Sequence, residues 1–234
     1  MKRNLFVCLA AMGIACGLAS SAFAEDPYVE SDGTQAVVLD YFANPNTKIE
    51  VDFALTDLRQ QTRVFGESGM NAGVSCALYI SGGNVYSWGF QNGDGDWQWT
   101  SVAVSTDRRT FVLDGPGRKV QVIKDGVVED TRTSVRAVTA TAVYPLALFA
   151  SCQNEAGTLF NHLWGKMKLY SFKVYEAGTI TMDLQPVLKN GVYLLKDAVT
   201  GKVYGPAVGN PLTGGGDIAT ETGELTWTGM VSSD

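Results

Sequence analysis

The chain has 234 residues, 45% hydrophobic and 18% charged, with 18 Lys and Arg against 24 Asp and Glu. A net charge of −6 leaves no basic footprint for nucleic acid or anionic lipid, and one histidine leaves too few imidazoles for most metal centres. The first element is a targeting segment. Lys2 and Arg3 precede an apolar run over residues 5–18, and Ala22-Phe23-Ala24 is a small-x-small cleavage site. The run is shorter than the roughly 20 apolar residues a spanning helix needs. Residues 1–24 therefore read as a signal peptide cleaved after Ala24, with export to the periplasm, cell surface or medium and no membrane insertion. Cleavage removes two cations and no acid, which takes the net charge to −8.

Beyond Ala24 the text is that of strands. In "TKIEVDFAL" Ile49, Val51, Phe53 and Leu55 alternate with Lys48, Glu50 and Asp52, so one face belongs to a core and the other to water. "GVSCALYI", "NVYSWGF" and "WQWTSVAV" follow, and then "RTFVLDG". "KVQVIK" and "VVE" flank Asp125-Gly126, a type I′ hairpin signal. "YPLALFAS" and the long "KMKLYSFKVYE" are further strands, and "GVYLLKDAVTGKVYG" reads as a hairpin turning near Thr200-Gly201. No repeat of 20–50 residues appears. The pattern is all-β, one domain over residues 25–209, with 210–234 a polar, Gly/Thr-rich tail or last strand.

Two cysteines outlast cleavage. Cys76 and Cys152 are an even pair in an oxidising compartment and candidates for a disulfide, with two buried free thiols as the alternative. The only histidine, His162, has no nucleophile and orienting group at triad spacing.

The stretch most suited to touching a ligand is "QNGDGDWQW" at residues 91–99. Asn92, Asp94, Asp96 and Gln98 fall at alternate positions and offer hard oxygens, so Asp94 and Asp96 are weak calcium candidates. An EF-hand loop is excluded by Trp97 at its glycine position and Ala103 at its last position. The Asn/Gly/Asp cluster is also turn chemistry between two strands. Alternation puts Trp97, Trp99 and Ser101 on one face, and Trp88 and Phe90 on one face of the preceding strand. Trp88, Trp97 and Trp99 beside Asn92, Asp94 and Asp96 form a ligand-binding set, if the rings face solvent. If they face inward, they are core.

"YVESDGTQAVVLDY", "NTKIEVDFAL" and "RVFGES", followed by "YPLALFAS", "KLYSFKVYEAG" and "DLQPVLKNGVYLLKDAVTGKVYG", resemble bacterial LamG-like jelly-roll domains over nearly the whole chain after Ala24. The resemblance implies a concanavalin A-like sandwich of two antiparallel sheets. Such sandwiches host lectins, glycosidases and adhesion modules, so activity has to come from a site. Glycosidases of the class carry an E-x-D-x-E or E-x-D-x-x-E strand. Here Glu50 and Asp52 begin it, but Ala54 and Leu55 end it. The expectation is a secreted or cell-surface, non-enzymatic binding or adhesion module with no cofactor. Its partner class is a glycan or another extracellular component. The rivals are a structural module of an extracellular assembly and an unusual glycosidase.

Overall fold

The computed structural model describes residues 25–67, 74–92, 98–134, 137–152 and 164–228. They hold strands β1 (Tyr28–Asp32), β2 (Val37–Val38), β3 (Thr47–Leu55), β4 (Arg63–Gly66), β5 (Val74–Ile80) and β6 (Val85–Asn92). These are followed by β7 (Gln98–Ala103), β8 (Arg109–Asp114), β9 (Lys119–Lys124), β10 (Val127–Thr133) and β11 (Ala147–Leu148). The last are β12 (Lys166–Glu176), β13 (Thr179–Lys189), β14 (Val192–Asp197), β15 (Val203–Tyr204), β16 (Thr213–Gly215) and β17 (Ala219–Glu221). Among the described residues there is no helix, and so none long and apolar enough to cross a membrane.

The strands form two sheets. The larger runs β10-β9-β8-β3-β12-β13-β14-β15, with β1 and β16 added beside β12 and β17 beside β13. The smaller runs β2-β11-β4-β5-β6-β7. All pairings between strands are antiparallel except the short β13–β17 pair. The chain crosses between sheets repeatedly, so β3 lies between β8 and β12 and β11 lies between β2 and β4. This is the all-β, two-sheet jelly-roll sandwich that the strand text predicts.

Alternation explains the packing. Ile49, Val51, Phe53 and Leu55 of β3 are at most 2% exposed, while Lys48, Glu50 and Asp52 lie on the outer face. From the smaller sheet, Phe65, Leu78, Ile80, Tyr86, Trp88 and Phe90 enter the same core. The sheets meet through rings: Tyr86 lies 4.7 Å from Phe111, and Phe65 lies 5.4 Å from Phe172 in an edge-on contact. Edge-on and tilted pairs of this kind suit the ring quadrupole and add roughly 0.5–1.5 kcal/mol each beyond area burial.

Two hairpins show how local chemistry sets register. Asp125 and Gly126 take φ of 51° and 76°, the type I′ turn expected between β9 and β10. Ala177 and Gly178 make the same turn between β12 and β13, with φ of 47° and 83°. The alanine hides that turn from a reading based on Asn-Gly and Asp-Gly pairs. Past Gly209, Thr213–Gly215 and Ala219–Glu221 join the larger sheet, and Trp227 donates to the Pro206 carbonyl.

The cysteines take their buried, reduced form. Both thiols are free and fully buried. Glu67 lies between them, its N–H on the Cys76 carbonyl at 3.0 Å, while the Cys152 N–H reaches the Gly66 carbonyl at 3.3 Å. Two inter-strand steps of about 4.8 Å put their Cα atoms roughly 10 Å apart. A disulfide needs less than about 7 Å, so of the two readings the structure takes the buried free thiols, here flanking a carboxyl.

Candidate functional site

Register across the smaller sheet builds the site. Arg63 of β4 pairs with Tyr79 of β5, Tyr79 with Ser87 of β6, and Ser87 with Trp99 of β7. Directly opposed residues in antiparallel strands share a face. Leu78, Ile80, Tyr86 and Trp88 alternate with this row and point into the core, so the row points outward. A cation, a phenol, a hydroxyl and an indole therefore stand in line across four strands.

Trp99 is 56% exposed, the second most exposed large hydrophobic side chain among the described residues after Val127. Ser87 is fully buried and donates to the Gln98 carbonyl at 3.3 Å. Arg63 lies over the Tyr79 ring, its Cζ 4.2 Å from the centroid. Its Nε is buried with no hydrogen-bond partner, and burial pulls the guanidinium down from its ordinary value, with the Tyr79 oxygen opposing weakly. No carboxylate pairs with Arg63 among the described residues.

Beside this row, Gly66 pairs with Ala77 and Ala77 with Gly89, all three buried. A Cβ on Gly66 would come within 2.6 Å of the Ser151 hydroxyl and 2.8 Å of the Ala77 methyl. Close strand contact requires glycine there. Glu67, next in the chain, is 1% exposed and neither carboxylate oxygen has a hydrogen-bond partner. Burial pushes its carboxyl up to about 8, although the Cys76 and Tyr144 backbone N–H groups pull the other way. The same burial raises Cys76 well above its ordinary value and takes Cys152 up to about 12, so neither is a thiolate near neutrality.

The predicted ligand set divides. Trp88 is 1% exposed in the core, and its partner across the strands is Gln98 and not Trp99. It offers no face to a ligand and drops out of the set. Trp99 keeps an open ring on the opposite face of the sheet. Asn92 pairs with Val74 at the end of β6, and Asp94, Asp96, Trp97 and His162 lie outside the described residues. No group of three or more His, Cys, Asp or Glu among the described residues is placed to hold a metal ion.

Glu50 and Asp52 sit on the outer face of the larger sheet, fully committed. Glu50 pairs with Lys48 at 2.8 Å and accepts from the Tyr175 hydroxyl. Asp52 takes both Nε and Nη2 of Arg108, which also reaches Asp26 at 2.5 Å. Asp26, Asp52 and Arg108 line an open polar cleft of about 250 Å³.

Arg63 and Tyr79 were missed in the sequence. "SCALYI" does place Tyr79 opposite Leu78 and Ile80, but nothing in the text fixes which residues of four separate strands lie side by side.

No family model matches the chain, and no curated protein does. Solved structures with similar shape exist at low identity. The mouse laminin alpha1 chain, domains LG4-5, is 12% identical, with 68% of this chain and 44% of that chain covered and a TM-score of 0.45. The Ruminococcus gnavus IT-sialidase CBM40 bound to alpha2,3 sialyllactose is 11% identical over 65% and 88%, with a TM-score of 0.39. Scytalido-glutamic peptidase with a peptide-based transition state analog is 8% identical over 81% and 98%, also at 0.39. All three TM-scores lie under 0.5.

Proposed function

We propose that the protein is an exported, non-enzymatic carbohydrate-binding or adhesion module of the LamG-like class, and that its ligand lies on the outer face of the smaller sheet. The observation that carries this reading is the Trp99 indole, 56% exposed on the outer face of the smaller sheet. An indole face covers the apolar C–H side of a pyranose, and neighbouring polar groups orient its hydroxyls. A stacking aromatic is a binding surface and not a reaction centre. The paired carboxylates of β3, Glu50 and Asp52, are consumed by Lys48, Tyr175 and Arg108, and that supports binding over glycoside hydrolysis. Export rests on Lys2, Arg3, the apolar run and Ala22-Phe23-Ala24.

A glycan array probed with residues 25–234 and with Trp99→Ala tests the reading. The expected result is a defined set of bound glycans, lost at least tenfold in the variant. An array on which no glycan is retained would sink the reading, and so would binding that Trp99→Ala leaves intact. A structural role is favoured by one feature: Val127 and Val128, 66% and 49% exposed on the edge strand β10. That role predicts an empty array and self-association instead.

A further inference from the structure

We propose that residues 212–228 are an exchangeable arm, and that β1, β13 and Gly205 form an acceptor site that the same arm of a second copy fills. The proposal does not depend on the carbohydrate reading. It starts from how the arm is held. β16 covers the free edge of β1, and β17 covers β13 at residues 187–189, past Leu184, where β12 stops pairing. Leu212 is the one buried residue in 210–228. The rest hangs on bonds near the surface: the Asp217 N–H to the Glu25 carbonyl at 3.1 Å, Lys196 to Glu221 at 2.5 Å, and the Asn190 amide to the Gly223 carbonyl at 2.5 Å. Short ladders of this kind open well below the cost of unfolding the core, while the long central strand β12 does not.

Register and shape make the site selective for this sequence. A Cβ at Gly214 would collide with the Tyr28 carbonyl and the Tyr193 ring, so the strand on β1 needs glycine at that point. Further along, Glu221 meets Lys196. Trp227 then lies so close over Gly205 that a Cβ there would come within 2.5 Å of the indole Nε1, and that Nε1 donates to the Pro206 carbonyl at 3.4 Å. A foreign strand would need all of these at the same spacing. A second copy carries glycine, carboxylate and indole in this order by identity, which is why it is the partner that fits.

The hinge favours trading. Up to Val208 the chain is tied to its own body, with the Ala207 N–H on the Ala36 carbonyl at 2.8 Å. Residues 209–211 then turn the arm back, all exposed, with Gly209 at a φ of 90°. Exchange relieves a hinge this short, because the crossing chain can run extended to a neighbour. Every contact the arm makes at home is remade on the second copy, so a closed two-fold dimer needs no new surface at the site. Tethering gives the arm a local concentration on the order of millimolar, so trading competes when copies are comparably crowded.

The test uses the native ion pair. Carbodiimide joins an ammonium to a carboxylate in contact, and Lys196–Glu221 is such a pair. Equal amounts of protein grown on light and on heavy nitrogen are mixed, held below Tm and cross-linked. The expected result is Lys196–Glu221 peptides joining light to heavy, in a share that rises with protein concentration. Trp227→Ala, which removes the anchor at Gly205, should bring the mixed links sooner. Glu30→Cys with Thr213→Cys, directly opposed on β1 and β16, should close the arm on its own body once oxidised and suppress them. Links confined to one isotope at every concentration would overturn the proposal. So would mixed links that the closed arm leaves undiminished, since those come from collisions, and so would a chain that gives no Lys196–Glu221 link, since its arm is not seated. If a variant does not fold, the isotope experiment on the wild-type protein decides alone.

Discussion

Two arginine–tyrosine stacks stand on opposite sheets of this sandwich. On the larger sheet Arg108 lies 3.8 Å from the Tyr170 ring centroid, and both Asp52 and Asp26 grip its guanidinium. On the smaller sheet Arg63 lies 4.2 Å from Tyr79, with no carboxylate beside it among the described residues. The consequences run opposite ways. The carboxylates raise Arg108 above its ordinary value, and burial lowers Arg63. The contrast extends to whole sheets. Lys168–Glu25, Lys48–Glu50, Arg109–Glu129 and Lys196–Glu221 close charges around the larger sheet. The buried side-chain atoms without partners among the described residues are Arg63 Nε, both Glu67 oxygens, Trp88 Nε1 and Ser151 Oγ. All of them sit in or against the smaller sheet. Among the described residues, then, the larger sheet pairs its outer charges, and the buried polar atoms left without a partner lie in or against the smaller one.

The largest break in that contrast comes from pH. The Glu67 carboxyl stands at about 8 in the folded protein against 4.5 for an ordinary glutamate. The folded state therefore binds more protons than the unfolded chain between those values. The stability contributed by Glu67 is full below pH 4.5 and is lost as pH rises through 8, by about 5 kcal/mol at roughly 1.36 kcal/mol per unit. Urea unfolding at a series of pH values reads this directly. Glu67→Gln, which mimics the protonated form, should flatten the decline and be the more stable protein at pH 9. An unchanged profile in that variant means another group titrates.

Next is Trp88→Ala. Its ring is 1% exposed between the sheets, so truncation should cost about 3–5 kcal/mol and lower Tm steeply, with or without a glycan. Denaturant unfolding checks it, and a loss under about 1 kcal/mol would mean the core collapses around the cavity. On the larger sheet the effect is smaller. Asp52→Asn leaves Arg108 with Asp26 alone, and Arg108 is 40% exposed. Solvent screening limits the cost to about 1 kcal/mol or less, and added salt should shrink it further.

Much of this molecule is legible in its text, and the reasons are local. "TKIEVDFAL" buries its apolar residues because period-two alternation leaves β3 no other way to face a core. Asp125-Gly126 forms its turn because both residues tolerate positive φ. The row of Arg63, Tyr79, Ser87 and Trp99 was not legible. It depends on the register between β4, β5, β6 and β7, and register is a property of pairs of strands and not of any one of them. The choice between a bridge and two free thiols was closed to the sequence for the same reason. Their even count was readable, but the intervention of Glu67 between their strands was not. Trp88 and Trp99 show the limit most plainly: both lie in aromatic, strand-like text, and only the pairing of Ser87 with Trp99 puts them on opposite faces.

The smallest expected effect on stability is the most informative about function. Trp99 shares its hairpin with Trp88 but is 56% exposed, and an exposed side chain away from caps, networks and cavities changes stability by no more than about 0.5 kcal/mol when truncated. Trp99→Ala should therefore melt within a degree or two of wild type, at roughly 2–4 °C per kcal/mol for a domain of this size. Its affinity for an array-identified glycan should nevertheless fall at least tenfold, about 1.4 kcal/mol, because the apolar sugar face loses its only exposed indole among the described residues. The two tryptophans then behave as opposites: Trp88→Ala loses stability, and Trp99→Ala loses binding alone. A Trp99→Ala protein that melts several degrees lower would place the indole in packing with the neighbouring loops, and the outer face of the smaller sheet would lose its claim as the ligand surface. An unchanged Tm with unchanged affinity would move the glycan elsewhere on the sandwich.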